Sequence, residues 1–334
     1  MQISVVIPTC GRKARLLVLL QNLDHSSYPV AEVIIVDSGE DKLLPHEYSL
    51  FTHLDIRYTG SEKSVCIQRN TGIRMARSPW IFLCDDDIEI PADYLATLMN
   101  HIKTHPEAGA VSGLWMEKQN DEWKATHPVH SARELLWKYF FQLGMWGEIN
   151  CKSSLWTARI KQYYQRKGNH ISKAGWPVNT DFTGEYMVFP VYSLGASLVK
   201  KEWLVASPFD EVLDSHGIGD NYGVAVDFPG PGIHVVNTMF VYHHMEQANR
   251  LKRSLQYYRR VLALDYFIKT KRSLSGVKKR WLLWSLTGNM IHFILSENGV
   301  MIRGGFKSIW KIVVGPNPYY KGSKQGKKVI EPIL

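Results

Sequence analysis

The 334-residue chain is 45% apolar and 21% charged, which argues against wholesale disorder and allows one large core or two ordinary ones. Its net charge of +9 is uneven: from Arg250 onward 18 Lys and Arg face three acidic residues, a local +15 that leaves −6 for the first 249 residues. Cys10, Cys66, Cys84 and Cys151 are scattered and form no CxxC pair, which argues against a disulfide framework or a zinc site.

Residues 3–7 are a short β-branched apolar run and predict a buried strand. Leucines at helical spacing predict a helix over 14–23. A second buried strand covers 33–36 and ends in the turn chemistry of Asp37-Ser38-Gly39. A third strand falls at 56–58, a helix at 64–76, and a fourth strand at 80–84 that runs directly into Asp85-Asp86-Asp87. Pro91 suits the first turn of a helix lasting to about residue 101, and 110–115 reads as a fifth strand. Short apolar strands alternating with helices imply an α/β fold, a mostly parallel central sheet flanked by helices.

Residues 116–190 are aromatic-rich and weakly periodic, with an amphipathic helix over 132–143. Trp176 and Asp181 are candidate acceptor contacts there, although core packing accounts for the same aromatic residues. Strand patterns resume at 191–199, 233–236 and 239–242. Beyond residue 250 the chain reads as a basic, aromatic helical extension, lysine-rich at 321–328. The expected division is a nucleotide-binding half over 1–115, an acceptor-binding half over 116–249 and the basic tail over 250–334. Beside Leu255, Tyr258, Leu262, Leu264 and Phe267 the basic residues suit an anionic membrane surface, as does the Trp281–Trp284 patch. No motif that reads nucleic acid is present. The first residues lack the order of a signal peptide, and no run of about 18 apolar residues occurs, so the expected location is cytoplasmic, peripheral on the inner face of a membrane.

In open α/β sheets ligands bind at the carboxyl ends of the strands. Three polar clusters fall at such ends: Pro8-Thr9 with Arg12, Asp37-Ser38, and the aspartate triplet. Three adjacent carboxylates beside a buried strand repel one another and lose hydration, a cost that a divalent cation would relieve. An acidic turn capping the following helix is the alternative reading. No GxGxxG or GxxxxGK[ST] is present, which argues against dinucleotide-binding and P-loop chemistry.

Four motifs taken together, Val5-Val6-Ile7-Pro8-Thr9-Cys10-Gly11-Arg12, Val33-Ile34-Ile35-Val36-Asp37-Ser38-Gly39, Arg69-Asn70-Thr71-Gly72-Ile73 and Phe82-Leu83-Cys84-Asp85-Asp86-Asp87, resemble the GT-A glycosyltransferases of family 2. The resemblance covers residues 1–115 and returns over 195–244. It implies transfer of a sugar, with inversion, from a nucleotide-sugar donor (a UDP-sugar above all) to a glycan or lipid-linked acceptor. By that resemblance Pro8, Thr9 and Asp37 line the base pocket, and Arg12 and Arg69 lie near ribose and phosphates. Asp85 or Asp86 contacts ribose or sugar. Asp87 binds Mn²⁺ or Mg²⁺, with His243, ahead of His244, as second ligand.

Asp220 is the candidate base. The family's Glu-Asp pair is Gly219-Asp220 here, which keeps Asp214 and Asp227 as alternatives, while Asp210 and Glu211 would organise the preceding loop. Two other functions use similar sheets: a sugar-nucleotide nucleotidyltransferase, of whose glycine-rich basic loop residues 9–13 are a faint version, and a catalytically degenerate membrane-bound scaffold.

Overall fold

The computed structural model describes residues 1–244 and 251–326; Arg250, Lys327 and Lys328 of the basic tail lie outside the described residues. In chain order the elements begin β1 (Ile3–Thr9), α1 (Lys13–Asp24), β2 (Glu32–Asp37), α2 (Pro45–Tyr48), β3 (Ile56–Gly60), α3 (Val65–Met75), β4 (Trp80–Cys84), β5 (Ile88–Glu89), α4 (Tyr94–Thr104), β6 (Ala110–Gln119) and β7 (Glu122–Lys124). They continue with α5 (Ala132–Phe141), β8 (Met145–Trp146), α6 (Leu155–Lys167), β9 (His170–Ile171), β10 (Pro177–Asn179), β11 (Tyr186–Phe189), β12 (Ala196–Lys200), α7 (Lys201–Ala206), α8 (Asp220–Ala225) and β13 (Ile233–His243). The helices α9 (Arg253–Thr270), α10 (Lys279–Leu295), α11 (Gly299–Val313) and α12 (Pro318–Gln325) complete them.

The chain divides into two compact units, the first made of 1–125, 184–211 and 215–248 and the second of 126–183, 212–214 and 249–334. Unit 1 is built on a sheet of order β11-β13-β6-β12-β4-β1-β2-β3, with β5 paired to β13 and β7 to β6. The strands β3, β2, β1 and β4 are parallel; β12 runs against β4 and β6, and β13 is parallel to β6, so six of the eight strands on this path point one way. The central strands β1, β2 and β4 are buried at every residue, as expected for strands covered on both faces. Val5 and Ile7 pack with Leu16, Leu19 and Leu20 of α1 and with Tyr94, Leu95 and Leu98 of α4. The alternate residue Val6 meets α3 at Gly72.

The expected elements appear with three adjustments. The α4 helix starts at Tyr94 because Pro91 to Asp93 form a turn, in which the Tyr94 N–H donates to the Pro91 carbonyl at 3.0 Å. The strand expected over 191–199 begins only at Ala196, since the residues before it bring Gly195 to the end of β4. The two late strand patterns merge into β13, which absorbs the break as a register shift between Val236 and Phe240.

Unit 2 packs α5, α6 and the small sheet β8-β10-β9 around Leu135, Met145, Ile160, Tyr164 and Val178. Its longest helix, α9, is buried nearly all round. Leu255, Tyr258, Leu262, Leu264 and Phe267 are core residues, not the interfacial stripe that their spacing suggests. Buried Arg259 donates to Asp214 at 2.8 Å, and the Tyr319 hydroxyl donates to the other oxygen of Asp214 at 3.0 Å. In the tail, exposed apolar side chains include instead Ile294 and Leu295 at the end of α10 and Phe306, Trp310 and Val313 of α11. No helix among the described residues is long and apolar enough to cross a membrane.

Candidate active site

Parallel pairing aligns Thr9, the last residue of β1, with Asp37, the last residue of β2, and the triplet follows β4 on the same edge of the sheet. The α3 helix braces that edge. Its buried Gln68 donates to the carbonyls of Thr9 and Val36, each at 2.7 Å, and so ties the ends of β1 and β2 together. Asp37 is buried; one oxygen accepts the Gly39 N–H at 2.7 Å and the other accepts the Tyr58 hydroxyl. Pro8 is buried within the sheet beside Val36.

The three adjacent aspartates are compensated by three side chains of the protein itself. Asp86 accepts from Thr9 at 2.7 Å and lies 3.0 Å from Arg12, which also donates to one oxygen of Asp87. Burial still dominates at Asp86 and pushes its pKa up to about 7, against Arg12 and Thr9. Burial also works against the charge of Asp87, but His243 and Arg12 outweigh it and hold this carboxyl below its ordinary value. Two neighbouring carboxyls are thus driven apart by their surroundings, a pattern typical of reactive or ligand-binding sites.

Asp85 belongs to a second cluster. Arg69 is only 3% exposed; its Nη2 donates to Asp85 and its Nη1 to Asp220, both at 2.5 Å, with Asn221 at 2.9 Å and the Phe209 ring 5.0 Å away. Burial opposes the guanidinium charge, yet Asp85 and Asp220 raise its pKa above the ordinary value. Asp220 therefore stands beside the triplet although it lies 151 residues from Arg69 in sequence. Gly219 explains the departure from Glu-Asp: at φ +96° it holds a left-handed conformation that other residues adopt only with strain, and Asp220 opens α8 immediately after it. Gly195 has a comparable role, because a Cβ there would come within 2.2 Å of an Asp85 carboxylate oxygen.

Of the alternative bases, Asp214 is engaged by Arg259 and Tyr319 in unit 2, and Asp227 lies two residues beyond the end of α8. Glu211 accepts from Asn70 at 2.8 Å, while Asn70 also pairs with the Phe209 backbone, so this loop is fastened to α3.

His243 ends β13 with Nε2 3.5 Å from Asp87 Oδ1 and Nδ1 3.6 Å from Glu117. Burial disfavours its charge, but Asp87 and Glu117 prevail and its pKa is pushed up to about 9. The His244 side chain turns to Glu89 at 2.9 Å, so His243 is the histidine that faces the triplet. Two metal bonds of about 2.0–2.1 Å at right angles bring ligand atoms to about 3 Å, so Asp87 Oδ1 and His243 Nε2, 3.5 Å apart, would draw in by about 0.5 Å around a cation. At a pKa of about 9 the His243 ring carries a proton on Nε2 as well, which a cation would displace; the hydrogen on Nδ1 directed at Glu117 would then leave Nε2 as the ligating atom. Among the described residues no group of three or more His, Cys, Asp or Glu side chains could hold a metal alone. The pair therefore fits a cation whose other ligands are phosphate oxygens and water.

The model of the glycosyl transferase family 2 matches residues 4–170, half of the chain. This protein belongs to glycosyl transferase family 2. Curated relatives that this family 2 chain matches include YwdF of Bacillus subtilis, an uncharacterized glycosyltransferase, at 30% identity over 118 residues (34% of this chain and 44% of YwdF). An uncharacterized glycosyltransferase of Haemophilus influenzae is 28% identical over 85 residues, 25% of this chain and 29% of that one. The chain thus spans less than half the length of these relatives.

Solved structures extend the likeness over more of the chain. S. aureus TarS residues 1–349 with UDP-GlcNAc has a TM-score of 0.52 at 12% identity, covering 100% of this chain and 95% of that TarS fragment. GalNAc-T7 with UDP, GalNAc and Mn²⁺ scores 0.52 at 12% identity and covers 90% of this chain and 58% of its own. The mannosyltransferase PcManGT from Pyrobaculum calidifontis, with GDP-Man and Mn²⁺, scores 0.52 at 13% identity, covering 94% and 88%. At these identities the likeness establishes the GT-A fold.

Gln68, Tyr58, Glu117 and Asn221 are the site residues that sequence reasoning missed. Each is a single polar residue whose partner is distant in sequence; a buried glutamine immediately before Arg69 was the only available signal.

Proposed function

We propose that this family 2 protein transfers a sugar from a nucleoside-diphosphate sugar, a UDP-sugar first among them, to a glycan or lipid-linked acceptor with inversion at the anomeric carbon. The observation that carries the reading is Arg69, which joins the triplet at the donor edge of the sheet to Asp220, a carboxylate suited to the acceptor side.

In this reading Asp37 accepts from the base, with Tyr58 and the Gly39 N–H fixing its orientation. Arg12 and Arg69 face the negatively charged part of the donor. Asp87 and His243 hold Mn²⁺ or Mg²⁺, which when bound neutralises charge developing on the departing diphosphate. Asp220 removes the proton of the attacking hydroxyl, and Arg69 positions it. The exposed Phe306 and Trp310 of α11, beside Lys307 and Lys311, support docking of unit 2 on an anionic membrane surface.

Incubation with UDP-, GDP- and dTDP-sugars, with and without Mn²⁺, tests the transfer reading through released nucleoside diphosphate. Release that needs both a donor and the cation supports it. Pyrophosphate release from nucleoside triphosphate and sugar phosphate would replace it with nucleotidyl transfer, and no turnover of any donor would leave a scaffold.

A further inference from the structure

Unit 2 holds a cavity of about 970 Å³ that the transfer chemistry does not use. Leu136 and Phe140 of α5, Trp156 and Ile160 of α6 and Ile291 of α10 line it. Leu136 and Phe140 are one turn apart and so share a helix face. Phe140 is 60% and Trp156 66% exposed, which leaves large rings in water around a concavity. The wall behind them is fixed: Phe140, Phe141 and Trp284 meet at ring separations of 4.9–5.2 Å, and the Trp284 indole N–H donates to the Phe140 carbonyl at 2.9 Å.

The charged groups of this region are mostly cationic; the one carboxylate in the lining, Glu134, is paired with Lys138 at 3.7 Å. Arg133 and Arg159 also line the cavity, are exposed, and have no carboxylate partner among the described residues. A neighbouring cavity of about 490 Å³ shares Arg133 and Trp137 with the first and adds Lys138, Asn289 and His292. Trp137 Nε1 is buried and makes no hydrogen bond, so a donor without an acceptor sits in the wall common to both cavities. An aromatic trough whose lining includes two exposed arginines matches a molecule with a hydrocarbon chain and an anionic head.

We propose that the larger cavity binds one molecule of a lipid phosphate, its hydrocarbon chain along Leu136, Phe140, Trp156 and Ile160 and its phosphate at Arg133 and Arg159. The inference rests on the lipid-linked reading of the acceptor and assigns the residues that hold the lipid. Charge complementarity favours this occupant over a second copy of the chain, because the rim is basic and a copy would bring the same positive charge.

Equilibrium dialysis of the full chain tests it, with farnesyl phosphate, farnesol and inorganic phosphate as probes. Farnesyl phosphate is expected to bind saturably at one per chain, with farnesol and phosphate each weaker by about tenfold or more. The double substitution Arg133→Ala and Arg159→Ala should weaken farnesyl phosphate about tenfold and leave farnesol unchanged. Phe140→Ser with Trp156→Ser should weaken both lipid probes, and near-ultraviolet dichroism checks that the fold is kept. Unchanged farnesyl phosphate binding in this last variant would overturn the proposal, as would equal affinity for inorganic phosphate. Self-association abolished by the same substitutions, without lipid binding, would identify the face as an interface between copies and overturn it too. Nucleoside diphosphate release by the same samples separates the two readings. Donor turnover without lipid binding removes the groove alone, whereas lipid binding without donor turnover supports the groove and removes the transfer reading.

Discussion

In unit 1, Arg12, Arg69 and His243 are drawn in among Asp85, Asp86, Asp87 and Asp220, and each of these side chains has an opposite charge within 3.5 Å. In unit 2, Arg133 and Arg159 stay in solvent without acidic partners among the described residues, while Phe140 and Trp156 of the same cavity are exposed. The first arrangement stores compensated charge, so that a ligand must exchange with existing partners. The second leaves both charge and apolar surface uncovered, so that a ligand only adds contacts. Rigid, pre-paired charge suits chemistry, and unpaired amphipathic surface suits docking.

The largest break in this contrast is expected from Arg69→Ala. Two carboxylates would lose a buried partner, at about 3–5 kcal/mol of stability measured by urea unfolding. Turnover should fall by about a hundredfold to a thousandfold. Gly195→Ala is milder: its Cβ would lie 2.2 Å from Asp85, and relief of that clash costs about 1–3 kcal/mol. A displacement of Asp85 by about 1 Å should lower turnover by about a hundredfold, with donor affinity as a second readout.

A smaller effect concerns unit 1 away from the site. His101 is buried against His234 at 3.0 Å and stacks on His105, and burial followed by those neighbouring imidazoles pushes its pKa down to about 4. The unfolded chain binds a proton there near pH 6.5 and the folded chain does not, so this contribution to stability is complete above about pH 6.5 and is lost as the pH falls toward 4. Melting temperatures across that window should fall less steeply in His101→Gln than in the unsubstituted protein. The smallest effect on the fold is expected on α11: Phe306→Asp with Trp310→Asp should change stability by less than about 0.5 kcal/mol. The same change should abolish sedimentation with anionic vesicles; retained sedimentation would place the membrane contact elsewhere.

The strand-end aspartates were legible because strand-end chemistry is local: β4 runs from Trp80 to Cys84 as its apolar pattern indicates, and the triplet follows directly. Arg12 and Arg69 were legible as cations in motifs, but their pairing was not. Three adjacent carboxylates point to a cation, yet only the folded chain shows that two arginines and a histidine already supply the charge. Asp220 follows Gly219 where the family pattern has Glu-Asp, and the left-handed backbone at that glycine, which the sequence does not reveal, sets Asp220 at the start of α8 within reach of Arg69. The tail misled for a different reason. The basic residues of α9 interrupt its apolar ones as in an interfacial helix, but Arg259 is consumed internally by Asp214 and the apolar residues form a core. Periodicity identifies an apolar face without identifying what covers it, and α11 carries the exposed one.

Donor binding and sugar transfer, measured side by side for Asp87→Ala and Asp220→Asn, test the account most directly. Asp87→Ala should lose Mn²⁺-dependent donor binding. Asp220→Asn should bind donor as the unsubstituted protein does but transfer sugar about a hundredfold to ten-thousandfold more slowly. Transfer at the normal rate by Asp220→Asn, or unchanged cation-dependent donor binding by Asp87→Ala, would contradict it.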